Sequence, residues 1–404
     1  MGIYAVGIAF VLVIVLVNKK VSLGSAMLIG TLVVGLGSGN GLWKTGTIIV
    51  SSLLDPVTVE LLSIIAFICI LGHMLKKFGL LTNMVEAMDR LLPSTKATIM
   101  LVPMMIGCLT VSGGAIISAP MVDNLGERLN LPPNKKSAIN LLYRHGGHFM
   151  FPFVSGILLA SSLGQISATR LAAMMIPVSL VVLVSGYFLF LRKAVADHGP
   201  DVPRNFRKDL MDFLINGSPL LLSLFLALVL GMRFPYALLI GIGIAALLAY
   251  RQGGLTWSDA WAGLVSQRLM IFATAGIMIF RGMINEVAVL PSLVNQLIAN
   301  GLSIELLLIT LPAIVAYATG GISSAMGITM PMLVAPTLPE QTRLVYAMLI
   351  YCSGYLGYFT SPLHLCTVLT NEFFGAKLSD TYRDLAPSFA SIFVMMIVLM
   401  FVYR

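Results

Sequence analysis

The sequence predicts an all-α polytopic membrane protein made of two inverted-topology repeats, each with about five transmembrane helices plus a re-entrant helical hairpin. Three observations carry that expectation: the composition, an internal duplication and the placement of the basic residues. Of the 404 residues, 58% are hydrophobic and only 10% charged, where a soluble domain carries about 25% charged residues. Apolar runs of membrane-spanning length recur at Ile3–Val17, Met27–Leu36, Leu171–Leu191, Leu220–Met232, Ala237–Tyr250 and Phe389–Tyr403.

The formal net charge of +8 lies in Lys and Arg placed between those runs. That is the pattern of topogenic charge, so the expected partner is the lipid bilayer of the cell (inner) membrane and not nucleic acid. The first run is followed by Lys19-Lys20 and preceded by no basic residue. A signal peptide has the opposite polarity, so this run reads as a retained helix with its N-terminus outside. Cys69, Cys108, Cys352 and Cys366 lie in apolar segments without metal-ligand spacing, and no P-loop is present. Neither a metal, nor a cofactor, nor ATP-driven transport is expected; a secondary transporter of a small organic anion, not an enzyme, is the leading expectation, with a membrane-embedded enzyme or lipid-phosphate-handling protein, or a cation/proton antiporter, as the alternatives.

The duplication is read from matches in the same order. Tyr143, Gly146 and Phe151 of one segment coincide with Tyr351, Gly354 and Phe359 of another. Upstream, Ser112-Gly113-Gly114 followed by Pro120 matches Thr319-Gly320-Gly321 followed by Pro331. Gly79-Leu80-Leu81 before an amphipathic stretch, Thr82–Leu92, pairs with Ala288-Val289-Leu290 before Pro291–Ile298, and Ala26–Gly30 with Ala237–Gly241. The halves are residues 1–195 and 213–404, joined by a cytoplasmic basic linker, 196–212. Each half reads as two helices, a third helix, an interfacial helix, a Gly-Gly segment, a broken helix and a last helix.

Basic residues decide whether the Gly-Gly segments, about 97–122 and 302–333, cross the membrane. If both are re-entrant, Lys44, Arg170, Arg233, Arg281, Arg343 and Arg404 lie outside and Arg144 within the membrane. The remaining 18 of the 25 Lys and Arg then lie inside. If both cross, 11 lie inside and 13 outside. The positive-inside rule selects re-entrance, with both termini extracytoplasmic. Five spans is an odd number, so the second half is inverted relative to the first, as in many secondary transporters.

Chemistry is expected at three places. The hairpin tips expose backbone amides and carbonyls through glycine, and Ser112, Thr319, Ser323 and Ser324 add hydroxyls beside them. The broken helix Tyr143–Phe151 carries Arg144 eight residues after Lys136, about 12 Å deep along a helix. An arginine at that depth faces a cavity or a partner, and its planar fork suits carboxylate or phosphate. A structural bridge to Asp123 is the alternative role. His145 and His148 follow as possible proton carriers; with no carboxylate or cysteine near them in sequence, they do not suggest a metal site. The matching helix, Tyr351–Phe359, has Cys352 in place of Arg144 and offers Ser353, Thr360 and Ser361 as neutral oxygens. The substrate site is therefore drawn from Ser112, Gly113, Gly114, Arg144, His145, His148, Thr319, Gly320, Gly321, Ser323, Ser353 and Thr360. Gly113, Gly320, Ser324 and Asp123 are candidates for a coupling ion.

The two Gly-Gly tips and the broken helices after them resemble the ion transporter superfamily, which includes dicarboxylate, citrate, gluconate and arsenite carriers, and within it a family of prokaryotic integral membrane proteins. The resemblance covers essentially the whole chain. It implies a homodimer with a scaffold formed by the first two helices of each half and a transport domain that moves as an elevator. It also implies symport of a small anionic substrate with H+ or Na+. In the dicarboxylate carriers the tip reads Ser-Asn-Thr and its oxygens help bind sodium; glycines stand there in this sequence.

Overall fold

The computed structural model describes residues 2–92, 94–108, 114–195, 205–251, 257–266, 268–287 and 301–403. The described residues of the first half form α1 (Gly2–Asn18), α2 (Leu23–Gly37), α3 (Gly41–Leu54), α4 (Pro56–Lys77), α5 (Leu80–Leu91), α6 (Thr95–Cys108), α7 (Gly114–Arg128), α8 (Pro133–Gly146), α9 (Ser155–Gly164) and α10 (Ala168–Gly186, with a further wide turn to Leu191). Those of the second half form α11 (Phe206–Leu228), α12 (Phe234–Arg251), α13 (Trp257–Ser266), α14 (Arg268–Val287), α15 (Ile304–Thr319), α16 (Ile322–Leu333), α17 (Glu340–Thr360), α18 (Leu365–Phe374) and α19 (Leu378–Tyr403). The chain is an all-α polytopic membrane protein. Large apolar side chains such as Val11, Leu32, Phe225, Leu239, Phe393 and Phe401 stand exposed on its flanks, where a bilayer replaces water as their solvent.

Local signals set the helix limits. Asp55 caps α4 by accepting from the Thr58 amide, Pro56 fills its first turn, and Lys76 and Lys77 end it where the helix dipole favours cations. The same Asp-Pro pair cuts α3 from α4, so a short helix precedes the third span, and α13 does so before α14. α15 stops at Gly320 in the left-handed region (φ 63°). Ser361 stands before Pro362, in the extended conformation that proline imposes on its predecessor, and ends α17. The first broken helix instead breaks at Gly147, where one 3-10 turn, Gly147–Phe149, follows α8. The breaks are thus offset: α17 runs straight through Gly354 and Gly357.

Packing crosses between the halves. α2 packs on α14, and α12 on α4; α3 packs on α14, and α13 on α4. The α2–α14 crossing is a glycine contact. A Cβ on Gly276 would meet Gly24 backbone atoms at 2.7–2.9 Å, and one on Gly24 would meet the Phe272 ring and carbonyl. The matched residues Gly30 and Gly241 do equivalent work, the first facing Val13 of α1 and the second facing Pro219 and Ser223 of α11. α6 packs on α7, and α15 on α16. None of these four exceeds 16 residues, or about 24 Å, less than the hydrocarbon thickness of about 30 Å.

Ion pairs divide into two groups at opposite ends of the helices. One holds Arg90–Asp209 (2.6 Å), Arg90–Asp212 (3.6 Å), Arg128–Asp89 (3.8 Å) and Lys136–Asp123 (2.6 Å). The other holds Lys44–Glu286 (3.2 Å), Arg170–Glu340 (2.8 Å) and Arg233–Glu60 (2.7 Å). Arg128 and Asp89 flank the α6–α7 hairpin, so both of its ends lie at one end of the bundle.

Candidate functional site

The site is built where α8 ends and α18 begins. Arg144 sits in the last turn of α8 with 5% of its surface exposed. Its Nε and Nη1 groups are buried and lack any hydrogen-bond partner. Among the described residues no carboxylate pairs with it. Asp123, the expected alternative partner, instead accepts from Lys136 at 2.6 Å. α6 lies so close to this turn that a Cβ on Gly107 would collide with the Arg144 carbonyl.

His145 and His148 have different surroundings. His145 donates from Nδ1 to the Leu141 carbonyl at 2.8 Å, leaving the Nε2 lone pair unused. His148 donates from Nε2 to the Gly107 carbonyl at 2.8 Å and accepts at Nδ1 from the Tyr355 hydroxyl. It therefore ties the first hairpin to α17. Tyr351 adds a second tie, donating to the His148 carbonyl at 2.9 Å. The rings of Tyr355, Tyr358, Phe359 and His364 stand around His145 with centroids 5.0–6.4 Å away. Arginine and three histidines thus share one aromatic chamber with no described acid.

Sequence reading runs the second broken helix on into His364 but assigns neither it nor Cys366 to the site. His364 caps α18 and is fully buried; its Nδ1 pairs with Thr367 Oγ1 at 2.9 Å, and its Nε2 has no partner. Cys366 follows in the first turn of the same helix, half-buried. One signal could have found them: Pro362 keeps its predecessor out of a helix, so a break had to fall just before His364.

The other predicted residues spread around the chamber. Gly320 packs on Leu363, where a Cβ would lie 2.7–2.8 Å from Leu363 atoms, so the second tip touches the segment that carries His364. Gly321 caps α16, with Ser323 half-buried and Ser324 buried in its first turn. Thr319 and Thr360 donate to carbonyls of their own helices, Val315 at 2.8 Å and Leu356 at 2.9 Å. Ser353 donates to Leu308 of α15 at 3.2 Å. These hydroxyl protons serve the backbone. Gly114 begins α7. Ser112 and Gly113 lie outside the described residues, as do Ala288–Ile298.

A family described as "Protein of unknown function (DUF401)" matches residues 5–403. The chain belongs to this family. Among solved structures it is similar to the Alcanivorax borkumensis YdaH transporter, whose crystal structure is described as having an unusual topology. The TM-score is 0.67 at 14% identity, over 90% of this chain and 88% of that one. That likeness is one of overall fold. No curated protein matches.

Proposed function

We propose that this protein is a secondary active transporter of a small organic anion, with Arg144 as the anion-binding group. The carrying observation is the isolation of Arg144: a guanidinium 5% exposed, two of its nitrogens without partners, in a chamber without a described acid. A buried unsatisfied donor costs about 1–3 kcal/mol, more when charged. A protein keeps that cost where a ligand removes it, and the planar guanidinium fits a carboxylate or phosphate.

The same reading assigns the α6–α7 and α15–α16 hairpins as re-entrant, the halves as inverted repeats, and both termini as extracytoplasmic. Support comes from the short hairpin helices, the Arg128–Asp89 pair across the first hairpin, and the two-ended ion pairs. Every pair joins residues that the positive-inside count puts on one side. The likeness in fold to the YdaH transporter supports transport. Movement as an elevator, a homodimer and coupling to H+ or Na+ complete the proposal; His145 and His148 are candidates for the proton, and the neutral oxygens near the second tip for sodium.

The test is a thermal-shift screen of small organic anions on purified protein, with Arg144→Met as control. An anion at about 100 times its dissociation constant adds about 2.7 kcal/mol of stability. The expected result is a stabilising anion whose effect vanishes in the variant and which shows counterflow in liposomes. An anion that stabilises the variant equally would refute Arg144 as its site.

A further inference from the structure

We propose that His145, His364 and Cys366 bind a transition-metal ion of the Zn2+ class beside Arg144. Among the described residues, their ligand atoms lie within 4.8 Å of one another. A tetrahedral ion with arms of about 2.0–2.3 Å would hold them about 3.5 Å apart. Closure therefore needs a contraction of about 1 Å, within reach of side-chain rotation.

Three features distinguish this group from ordinary aromatic packing. First, each histidine is already oriented as a ligand. His145 donates from Nδ1 to the Leu141 carbonyl, and Nδ1 of His364 pairs with Thr367 Oγ1. His145 is thereby held with its Nε2 lone pair free, and His364 presents Nε2 in the same way when Nδ1 donates to the Thr367 hydroxyl, the outer hydrogen bond typical of metal-bound histidine. Second, His364 Nε2 is fully buried without a partner. Phenylalanine would pack there without that cost, so the nitrogen points to a missing ligand. Third, Cys366, in the first turn of α18, sets a sulfur beside the two imidazoles, the mixed nitrogen–sulfur ligand set that zinc takes.

Two neutral imidazoles and one thiolate leave a divalent ion with one net positive charge and, in tetrahedral geometry, one open position. Arg144 adds another positive charge. An anion that bridges Arg144 and the ion would balance both, which makes a metal-chelating carboxylate the favoured substrate class. This last step rests on the anion reading above; the metal site itself does not.

The test uses Co2+ as a spectroscopic stand-in for Zn2+. Chelator-treated protein in detergent is titrated with Co2+, following thiolate-to-cobalt charge transfer in the near ultraviolet. One equivalent should produce the band, and Zn2+ should abolish it. Cys366→Ser, nearly isosteric, and His364→Phe, which keeps the aromatic packing, should each lose it while remaining monodisperse. Arg144→Met leaves all three ligands and should keep it. Absence of the band in the wild type, or its survival in C366S, overturns the metal site. If the band is absent while an anion still stabilises the wild type and not R144M, the metal site fails and the anion reading stands.

Discussion

Replacing Arg144 by methionine should make the ligand-free protein more stable and the transporter inactive. Methionine keeps much of the length and apolar stem but removes the charge and the two unpartnered groups, Nε and Nη1. Relief of those groups is worth about 1–3 kcal/mol net, the range seen when buried charges give way to apolar residues. At about 2.1 cal/mol/K per residue, a chain of this length would melt about 1–4 °C higher. Ligand affinity should move the other way. Truncating one member of a buried charge pair costs about 2–5 kcal/mol, or about 30- to 4,000-fold in Kd. Arg144→Lys, which keeps charge and loses the fork, should lie between. Differential scanning fluorimetry with and without the stabilising anion reads both effects. A lower melting temperature for R144M with an intact ligand response would show that Arg144 is a structural residue, and the reasoning would fail.

Other perturbations separate structure from binding. Asp123→Asn removes the nearer of the two carboxylates that face buried Lys136, at 2.6 Å, and leaves Glu127 at 3.7 Å, so thermal stability should fall while anion affinity stays unchanged; a parallel loss of affinity would place Asp123 in the site. Gly107→Ala puts a methyl group into the Arg144 carbonyl and should cost about 1–3 kcal/mol and abolish counterflow, whereas Gly46→Ala, with open space around it, should change neither. Cysteines at Ser94 and Glu127 should both react with an impermeant thiol reagent from the cytoplasm, and cysteines at Ser303 and Pro336 both from outside. Labelling of either pair from opposite faces would dismiss re-entrant hairpins.

What the sequence revealed and what it concealed have separate physical causes. Arg144 was readable because helical rise is constant, so its distance from Lys136 measures depth. Helix character was readable because apolar runs of that length have few other uses. The isolation of Arg144 from Asp123 was not readable: both choices, Lys136 and Arg144, lay within reach on one helix, and only packing assigns the carboxylate. His364 and Cys366 were hidden because they approach His145 through tertiary contact, more than 200 residues along the chain. The hydroxyls were overvalued for a general reason. In an apolar helix, a Thr or Ser finds the carbonyl one turn back before it finds anything else, as Thr319 and Thr360 do.

The exchange of partners between halves, α4 with α12 and α13, and α14 with α2 and α3, bears on biogenesis. When the ribosome has finished Lys77, the helices that will cover α4 do not yet exist. α12 ends at Arg251, which at about 5–20 residues per second takes about 10–35 s more to reach. Through that interval the apolar face of α4 must be sheltered by lipid or by the insertion machinery. A ribosome that stalls inside the linker would therefore release a first half that is inserted but incomplete. Co-expressed as separate polypeptides, the two halves should rescue one another, and either alone should be degraded.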